Sequence, residues 1–356
     1  MLLQSFVIPI IKVTDSCNFN CDFCYYAQRN LHSDLMSLDL CKKIIRETFE
    51  YNVRNNNTIM RIIFHGGEPL LQSIDFYKEI FEYEKELSQE HKIKFLHSLQ
   101  TNGYNITKEW IELFKLMNID IGISIDGPEE LNCHYNSSGV SKCTAQVLQN
   151  IKMLSEANVP FGIISVITDK HTSQPQKMYD FCVKNNIHDL SLNFCYNNES
   201  NSSVSNNGLS DFLFKLFDLY FYGSYELNIR EFNEMIAKIF GYCTDTCATC
   251  NRENCGQYMS FDSYGNVFFC DNSYDKSKAI GNINTSSLYD LIDSTAYLSE
   301  IISARRNYEN NCKKCDVARA CGSGCYRYDD CYGTNYFCNT MKKICKYVIN
   351  KLNTEA

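Results

Sequence analysis

The sequence has no long hydrophobic run, no excess of positive charge and no secretion signal. Its apolar start, residues 1–13, is too short to span a membrane, and it lacks the basic segment and small-residue cleavage site of a signal peptide. The 34 basic residues are outnumbered by 42 acidic ones, which argues against general nucleic-acid binding because that requires a basic face. These absences predict a cytoplasmic protein with neither a membrane nor a nucleic-acid partner.

Twenty cysteines in 356 residues decide the class of protein. A reducing compartment keeps thiols reduced, so regularly spaced cysteine clusters predict metal ligands or redox groups rather than disulfides. Three cysteines lie within residues 17–24 and twelve within 243–345. The remaining five are scattered between these clusters and are predicted to be small buried side chains: Cys41, Cys133, Cys143, Cys182 and Cys195.

Apolar segments alternate with helical patterns over the first 195 residues. Continuous apolar runs predict six parallel strands covered on both faces, at 6–13, 60–65, 93–101, 119–125, 160–168 and 189–194. Helical patterns lie between them at 38–54, 74–89, 107–117, 141–157 and 174–186. Six right-handed β/α units predict an α/β fold with a partial (β/α)6 barrel. Residues that follow the strand ends should share one functional rim: Cys17, Gly66–Glu68, Gln100–Asn102 and Asp126.

The composition changes after the sixth strand. Residues 195–210 are rich in Asn and Ser and predict a linker, and a helical pair follows at about 210–241. The later residues contain many cysteines and few long apolar runs, which predicts a small module organised by metal. We therefore predict a barrel core at 1–208, a helical connector at 209–241 and a cysteine-rich domain at 242–356.

Cys17, Cys21 and Cys24 follow the first predicted strand with spacings of x3 and x2. Zinc sites and most iron–sulfur clusters take four protein ligands, and no fourth cysteine is near in the sequence. Three thiolates would leave one iron of a [4Fe–4S] cluster open to bind a small molecule. The alternative is a zinc site that takes its fourth ligand from a distant segment.

This cysteine spacing, followed by the aromatic Tyr25, resembles that of the radical S-adenosylmethionine (SAM) superfamily. The segments HGGEP (65–69), SLQTNG (98–103), SIDGP (124–128) and SVIT (165–168) resemble its later strand-end motifs, in order. A glycine pair suits the first of these because the backbone must approach the ligand closely. The resemblance implies a SAM-binding [4Fe–4S] cluster on the three cysteines. It also implies SAM contacts at Tyr25, Gly66, Gly67, Glu68, Gln100, Asn102, Ser124, Asp126 and Val166.

The later cysteines resemble those of the SPASM module, which carries two auxiliary [4Fe–4S] clusters and is most often found in enzymes that modify peptides or proteins. The resemblance implies one cluster on Cys312, Cys315, Cys321 and Cys338, and a nearer one on Cys255, Cys270 and Cys325. The nearer cluster's last ligand stays open among Cys243, Cys247 and Cys250, of which Cys250 fits the spacing best. The alternative is a zinc ribbon, in which the Gly265-x4-Cys270 element would have no role.

Asp271, directly after Cys270, resembles the proposed catalytic base of anaerobic sulfatase-maturating enzymes. A carboxylate beside a cluster, in a cavity closed to water, would have a perturbed pKa. The sequence CDNS is also favourable for a turn, so a solvated loop aspartate is the alternative. Two departures from that branch, His65 in place of glutamine and no arginine near Asn136, favour the wider group of peptide maturases.

The resemblance implies an enzyme that cleaves SAM reductively and abstracts hydrogen from a residue of a peptide or protein substrate. Crosslinking, oxidation or epimerisation of a ribosomally made peptide is the preferred reaction. The alternatives are sulfatase maturation from cysteine or serine to formylglycine, dehydrogenation of a small molecule, and a non-catalytic metal-binding role. A flavodoxin- or ferredoxin-type electron donor is implied. Because Cys17 lies so early, we expect no N-terminal peptide-recognition domain.

Overall fold

The computed structural model describes most of the chain as two compact units. The described residues are 5–21, 23–24, 35–134, 143–196, 203–243, 247, 252–271, 276–307, 311–330 and 332–355. Unit 1 comprises Met1–Ser124, His134–Phe161 and Gly256–Ile301, and unit 2 comprises Ile125–Cys133, Gly162–Cys255 and Ile302–Ala356. None of the helices in these ranges is both long and apolar enough to cross a membrane. The three segment boundaries expected from the sequence stay predictions.

The strands, in chain order, are β1 (Ile8–Lys12), β2 (Ile59–His65), β3 (Lys94–Thr101), β4 (Ile119–Ser124), β5 (Phe161–Ile167), β6 (Asp189–Phe194), β7 (Asn228–Ile229), β8 (Tyr258–Phe261), β9 (Asn266–Phe268) and β10 (Gly281–Asn282). The helices are α1 (Leu38–Arg54), α2 (Ile74–His91), α3 (Lys108–Met117), α4 (Thr144–Glu156), α5 (Asp169–Thr172), α6 (Pro175–Lys184), α7 (Asn206–Tyr222), α8 (Arg230–Ile239), α9 (Leu288–Ile292), α10 (Thr295–Asn307), α11 (Ala318–Cys321) and α12 (Cys338–Glu355). All six predicted strands are present within two residues of their expected ends.

Unit 1 contains a sheet with the strand order β10-β9-β8-β1-β2-β3-β4. The strands β1 to β4 pair in parallel, and every residue of β1 is buried, as its continuous apolar sequence predicts. The helices between them begin at side-chain caps, because Ser37, Ser73 and Thr107 each accept a hydrogen bond from a main-chain amide of the first turn. The predicted α/β alternation is therefore confirmed in this unit.

Three short strands of unit 1 were not predicted. β8 pairs with β1 in parallel, and β9 and β10 continue the sheet in antiparallel pairs. The composition of this segment predicts a module organised by metal, and its three strands also extend the sheet beyond β1. This pairing places the segment that bears Cys270 in the same unit as Cys17.

Unit 2 contains the parallel strands β5, β6 and β7, followed by helices that bury apolar faces against one another. The helix α7 packs on both α6 and α12. The linker predicted over 195–210 is shorter than expected, because α7 already begins at Asn206. The five scattered cysteines of the chain are all buried, as predicted.

Candidate active site

The first cysteine cluster lies on the loop that follows β1. Cys17, Cys21 and Cys24 are all partly exposed, and the Cys24 amide donates to the Cys21 carbonyl oxygen at 3.2 Å. The Phe19 amide donates to the Cys17 sulfur at 3.4 Å. Among the described residues no three His, Cys, Asp or Glu side chains are gathered closely enough to hold a metal ion. The donor chemistry nonetheless fits an iron–sulfur cluster, since partly exposed thiols lie on one short loop and a sulfur already accepts a main-chain N–H.

The glycine pair at the end of β2 supports this loop. The Gly67 amide donates to Thr14 O at 2.8 Å, and the Glu68 amide donates to Ser16 O at 2.8 Å. A Cβ at Gly66 would overlap Thr14 O, and one at Gly67 would overlap Ser16 O. Gly66 also has a φ of +132°, which side-chain-bearing residues rarely adopt. The absent side chains therefore let the backbone approach the cysteine loop itself, rather than only a ligand as we predicted.

The Glu68 side chain faces the protein interior, where it is 1% exposed. Its carboxylate accepts hydrogen bonds from Thr101 Oγ1 at 2.7 Å, the Asn102 amide at 2.8 Å and the Leu70 amide at 3.0 Å. Burial raises the pKa of Glu68 to about 7, although all three hydrogen bonds act in the opposite direction. The side chain thus connects the end of β2 to the end of β3, and its predicted contact with SAM stays a prediction.

The end of β3 brings further predicted residues to the cysteine loop. Asn102 Nδ2 donates to Asn18 Oδ1 at 2.7 Å and lies 3.9 Å from the Cys17 sulfur. Gln100 Nε2 donates to Ser124 Oγ at 2.8 Å, which joins two predicted SAM-binding residues on neighbouring strands. Three segments of the predicted rim, at Cys17, Gly66–Glu68 and Gln100–Asn102, therefore lie together in unit 1, whereas Asp126 belongs to unit 2.

Asp126 and Val166 lie in unit 2 and contact each other. Asp126 is fully buried, and its carboxylate accepts hydrogen bonds from the Val166 amide at 2.9 Å and the Cys133 amide at 3.1 Å. His171, which sequence reasoning missed, contacts Asp126 O through Nε2 at 2.9 Å. Burial lowers the pKa of His171. Because these groups satisfy one another inside the unit, the SAM-binding roles of Asp126 and Val166 stay predictions.

Asp271 is held by a buried lysine. Lys12 Nζ lies 2.9 Å from Asp271 Oδ1, with the lysine side chain fully buried and the aspartate side chain 22% exposed. The same ammonium group lies 6.0 Å from the centroid of the Phe268 ring. Asp271 is therefore not the freely solvated loop aspartate that was the alternative. Lys12 was missed, although a lysine at the end of the apolar strand IPIIK is itself a signal.

The second cysteine cluster lies in unit 2. The Cys315 amide donates to Cys312 O at 2.9 Å, which closes a turn between the two cysteines. Cys338 begins α12, and the pKa of its thiol is raised first by burial and then by the nearby Cys312 and Cys315. Cys338 therefore lies near enough to interact electrostatically with Cys312 and Cys315, and the cluster predicted on these three cysteines and Cys321 stays a prediction. Cys321 and Cys325, also predicted ligands, lie in the same unit and are partly exposed.

An unpredicted polar network supports this second cluster. Arg252 donates to Asp329 Oδ1 at 2.6 Å, to Ser323 O at 2.8 Å and to Ala304 O at 2.9 Å. Asn335 Nδ2 donates to the carbonyl oxygen of Cys325 at 2.6 Å. The Cys255 amide donates to Arg252 O at 3.2 Å. A side-chain hydrogen bond from Asn335 thus fixes the backbone at Cys325, and a main-chain bond to the anchored Arg252 fixes it at Cys255, both predicted ligands of the nearer auxiliary cluster.

Several predicted residues lie outside the described parts of the chain. They are Tyr25, Cys250 and the segment around Asn136. Of the other candidates for the open ligand position, Cys243 is exposed and Cys247 is partly exposed. The choice among the three cysteines stays a prediction.

Comparisons with known proteins agree with this geometry. Residues 11–182 match the model of the radical SAM superfamily, and residues 250–316 match that of SPASM, an iron–sulfur cluster-binding domain. A cysteine-type anaerobic sulfatase-maturating enzyme of Clostridium novyi is 28% identical, over 99% of this chain and 98% of that protein.

Two solved structures share the fold. The structure of native anSMEcpe with bound AdoMet and Cp18Cys peptide superposes with a TM-score of 0.86 at 23% identity, covering 98% of this chain and 99% of that one. Streptococcus suis SuiB bound to its precursor peptide SuiA gives a TM-score of 0.63 at 17% identity, covering 95% and 76%. These two likenesses concern the fold alone.

Proposed function

We propose that this protein oxidises a cysteine or serine side chain of a protein substrate, as a sulfatase maturase does. The chain belongs to the radical SAM superfamily and carries a C-terminal SPASM domain. The observation that carries this proposal is the relationship to the Clostridium novyi sulfatase-maturating enzyme, which runs over nearly the full length of both chains. It favours sulfatase maturation over the crosslinking, oxidation or epimerisation of a ribosomally made peptide that the sequence favoured.

When bound, SAM and its [4Fe–4S] cluster would supply the one-electron chemistry that removes a hydrogen atom from the substrate. Cys17, Cys21 and Cys24 would hold the SAM-binding [4Fe–4S] cluster. The backbone just before Cys17 is fixed by hydrogen bonds from the amides of Gly67 and Glu68 to the carbonyl oxygens of Thr14 and Ser16. The strand-end residues predicted to contact SAM would bind and orient it, and would exclude water from the reacting atoms.

Asp271 would accept the proton of the substrate thiol or hydroxyl. Its ion pair with Lys12 holds the carboxylate in one position while part of it stays exposed to a substrate. A general base needs both features, since it must lie within hydrogen-bond reach of the proton that it removes. Lys12 thereby acts as a positioning residue for the proposed base.

Two auxiliary clusters would carry away the second electron. One would be held by Cys312, Cys315, Cys321 and Cys338, and the other by Cys255, Cys270, Cys325 and one of the three cysteines before Asn251. A flavodoxin- or ferredoxin-type protein would supply the first electron. Purified protein with three clusters should contain about twelve iron atoms.

The test is anaerobic incubation of reconstituted protein with SAM, a reductant and sulfatase peptides that carry either cysteine or serine at the target position. Mass spectrometry should find formylglycine in one of them. The variant Asp271→Asn should lower its formation by about 10²-fold or more while 5′-deoxyadenosine still forms, because it removes the proton acceptor and its charge but no proposed cluster ligand. Asp120→Asn, at an exposed position of β4, is the matched control.

Two results would contradict the proposal. Wild-type protein that forms no 5′-deoxyadenosine would indicate a non-catalytic role. Wild-type protein that cleaves SAM but leaves both sulfatase peptides unchanged would exclude the maturase activity and favour the second candidate.

That second candidate is modification of a ribosomally made peptide, and His65 favours it. His65 Nδ1 accepts a hydrogen bond from the Gly66 amide at 2.7 Å, at a position where sulfatase maturases are expected to have glutamine. A peptide co-expressed from a neighbouring gene would then lose two hydrogen atoms on crosslinking or oxidation. Exchange of one hydrogen for deuterium without loss of mass would instead indicate epimerisation.

A further inference from the structure

A histidine outside every recognised motif contacts one of the three cysteines of the first loop. His134 Nδ1 lies 3.2 Å from the Cys21 sulfur, within the distance expected for a hydrogen bond to sulfur. Both residues belong to unit 1, although more than a hundred positions separate them in the sequence. The contact therefore depends on the fold and was not predicted.

Aromatic side chains fix the orientation of this imidazole. The Phe23 ring meets it edge-on, with centroids 5.5 Å apart and planes at 85°, and the Phe19 ring lies 6.1 Å away at 58°. His134 is only 4% exposed. Phe19 and Phe23 flank Cys21 in the sequence, so the cysteine loop itself forms two walls around the ring. This enclosure reduces competition from water for the Cys21 sulfur.

The direction of the hydrogen bond follows from cluster chemistry. A cysteine bound to iron is a thiolate and has no proton to donate. The imidazole must then be the donor, which selects a form of His134 with a proton on Nδ1. Hydrogen bonds to cluster sulfurs change the reduction potential, because a donor withdraws negative charge from the sulfur and favours the reduced state.

We propose that His134 is a positioning residue for Cys21, and that its hydrogen bond to the Cys21 sulfur raises the reduction potential of the SAM-binding cluster. This inference rests on the proposed function in that Cys21 must be a cluster ligand. It goes beyond that function because it assigns a residue that controls how readily the cluster accepts its electron.

Two variants separate the hydrogen bond from the packing of the ring. His134→Phe keeps a planar ring between Phe19 and Phe23 but removes the donor. His134→Asn places an amide near the position of Nδ1 and can still donate. His91→Phe, at the exposed last residue of α2, is the control for the same change at another site. Each reconstituted full-length protein is titrated with a reductant and followed by electron paramagnetic resonance. The cluster of interest is the one whose signal changes when SAM is added.

The potential of the SAM-sensitive cluster should become more negative in His134→Phe and stay near the wild-type value in His134→Asn and His91→Phe. An unchanged potential in His134→Phe would overturn the inference, and so would an equal shift in His134→Asn. If His134→Phe loses iron, retention of the cluster in His134→Asn would support the donor role, and its loss from both would refute it. Wild-type protein without any SAM-sensitive signal would instead overturn the ligand assignment of Cys21.

Discussion

The two cysteine-bearing regions are stabilised by different kinds of interaction, one by main-chain hydrogen bonds and the other by buried side chains. The loop after β1 is held by main-chain hydrogen bonds, from the amides of Gly67 and Glu68 to the carbonyl oxygens of Thr14 and Ser16. The region around Cys312–Cys338 is held by buried side chains, chiefly Arg252 on Asp329. The first region should therefore be sensitive to an added Cβ, and the second to loss of a side-chain charge.

The largest difference between the regions should be in SAM cleavage. Changing Cys17, Cys21 and Cys24 together to alanine should abolish 5′-deoxyadenosine formation, because none of the proposed ligands of the SAM-binding cluster would remain. Changing Cys312 and Cys315 to alanine should leave part of this reaction. Each set of changes should remove about four of about twelve iron atoms. Iron analysis and product quantification check both, and SAM cleavage by the triple variant would show that the two regions have been assigned wrongly.

The second difference concerns the side-chain network of unit 2. Arg252→Met should lower the free energy of unfolding by about 3–5 kcal/mol, because it removes the charged partner of Asp329 and the guanidinium donor of two carbonyl oxygens. Asp329 would keep only the hydrogen bond from Asn335 Nδ2, at 3.2 Å. Arg46→Met, which breaks an exposed pair with Glu90, should cost less than about 1 kcal/mol. Denaturant unfolding of both variants measures the difference. Equal costs would mean that burial of the Arg252 pair has no energetic consequence.

The third difference concerns the backbone of unit 1. Gly67→Ala should destabilise the protein by more than about 2 kcal/mol and reduce SAM cleavage, because the new Cβ would overlap Ser16 O and displace the cysteine loop. Gly162→Ala is the matched control in a strand, where the new Cβ would meet Asp189 Cβ at 3.1 Å. That contact requires only a small adjustment. If both variants unfold at the same denaturant concentration, the close approach at Gly67 is not under constraint.

Local sequence patterns predicted the local structure well. Each of the six apolar strands and each cysteine motif is a continuous pattern in the sequence, so it can be recognised without knowledge of the fold. The strands β8, β9 and β10 have four, three and two residues, too few for a period to be recognised.

The residues of the candidate site that were not predicted were missed for one common reason. Lys12 with Asp271, and His134 with Cys21, are pairs joined only by the fold, so neither partner marks the other in the sequence. The glycine pair was predicted to let the backbone approach a ligand, but its close contact with the cysteine loop was not predicted because that contact also depends on the fold. Sequence reasoning therefore recognised residues that lie close together in the chain, and it missed those that only the fold brings to them.

The fourth difference appears only on a change of pH and concerns Glu68, a buried side chain that supports the otherwise backbone-held region. Burial raises its pKa from 4.5 to about 7, so the folded state holds a proton that the unfolded state has already released. Between about pH 4.5 and pH 7 the folded state binds more protons, and its stability must fall as the pH rises through this window. Above pH 7 the contribution becomes constant.

Glu68→Gln should remove this dependence while keeping an acceptor for Thr101 Oγ1. The unfolding free energy of wild type minus that of the variant should therefore fall by up to about 3 kcal/mol from pH 5 to pH 8. Urea unfolding of the two apoproteins at both pH values measures it, and the contribution of Glu84, whose pKa burial also raises, cancels because both proteins contain it. A difference that is the same at both pH values would mean that Glu68 is already ionised in the folded protein at pH 5. The support of the cysteine loop would then include a buried carboxylate charge stabilised by the Thr101, Asn102 and Leu70 donors.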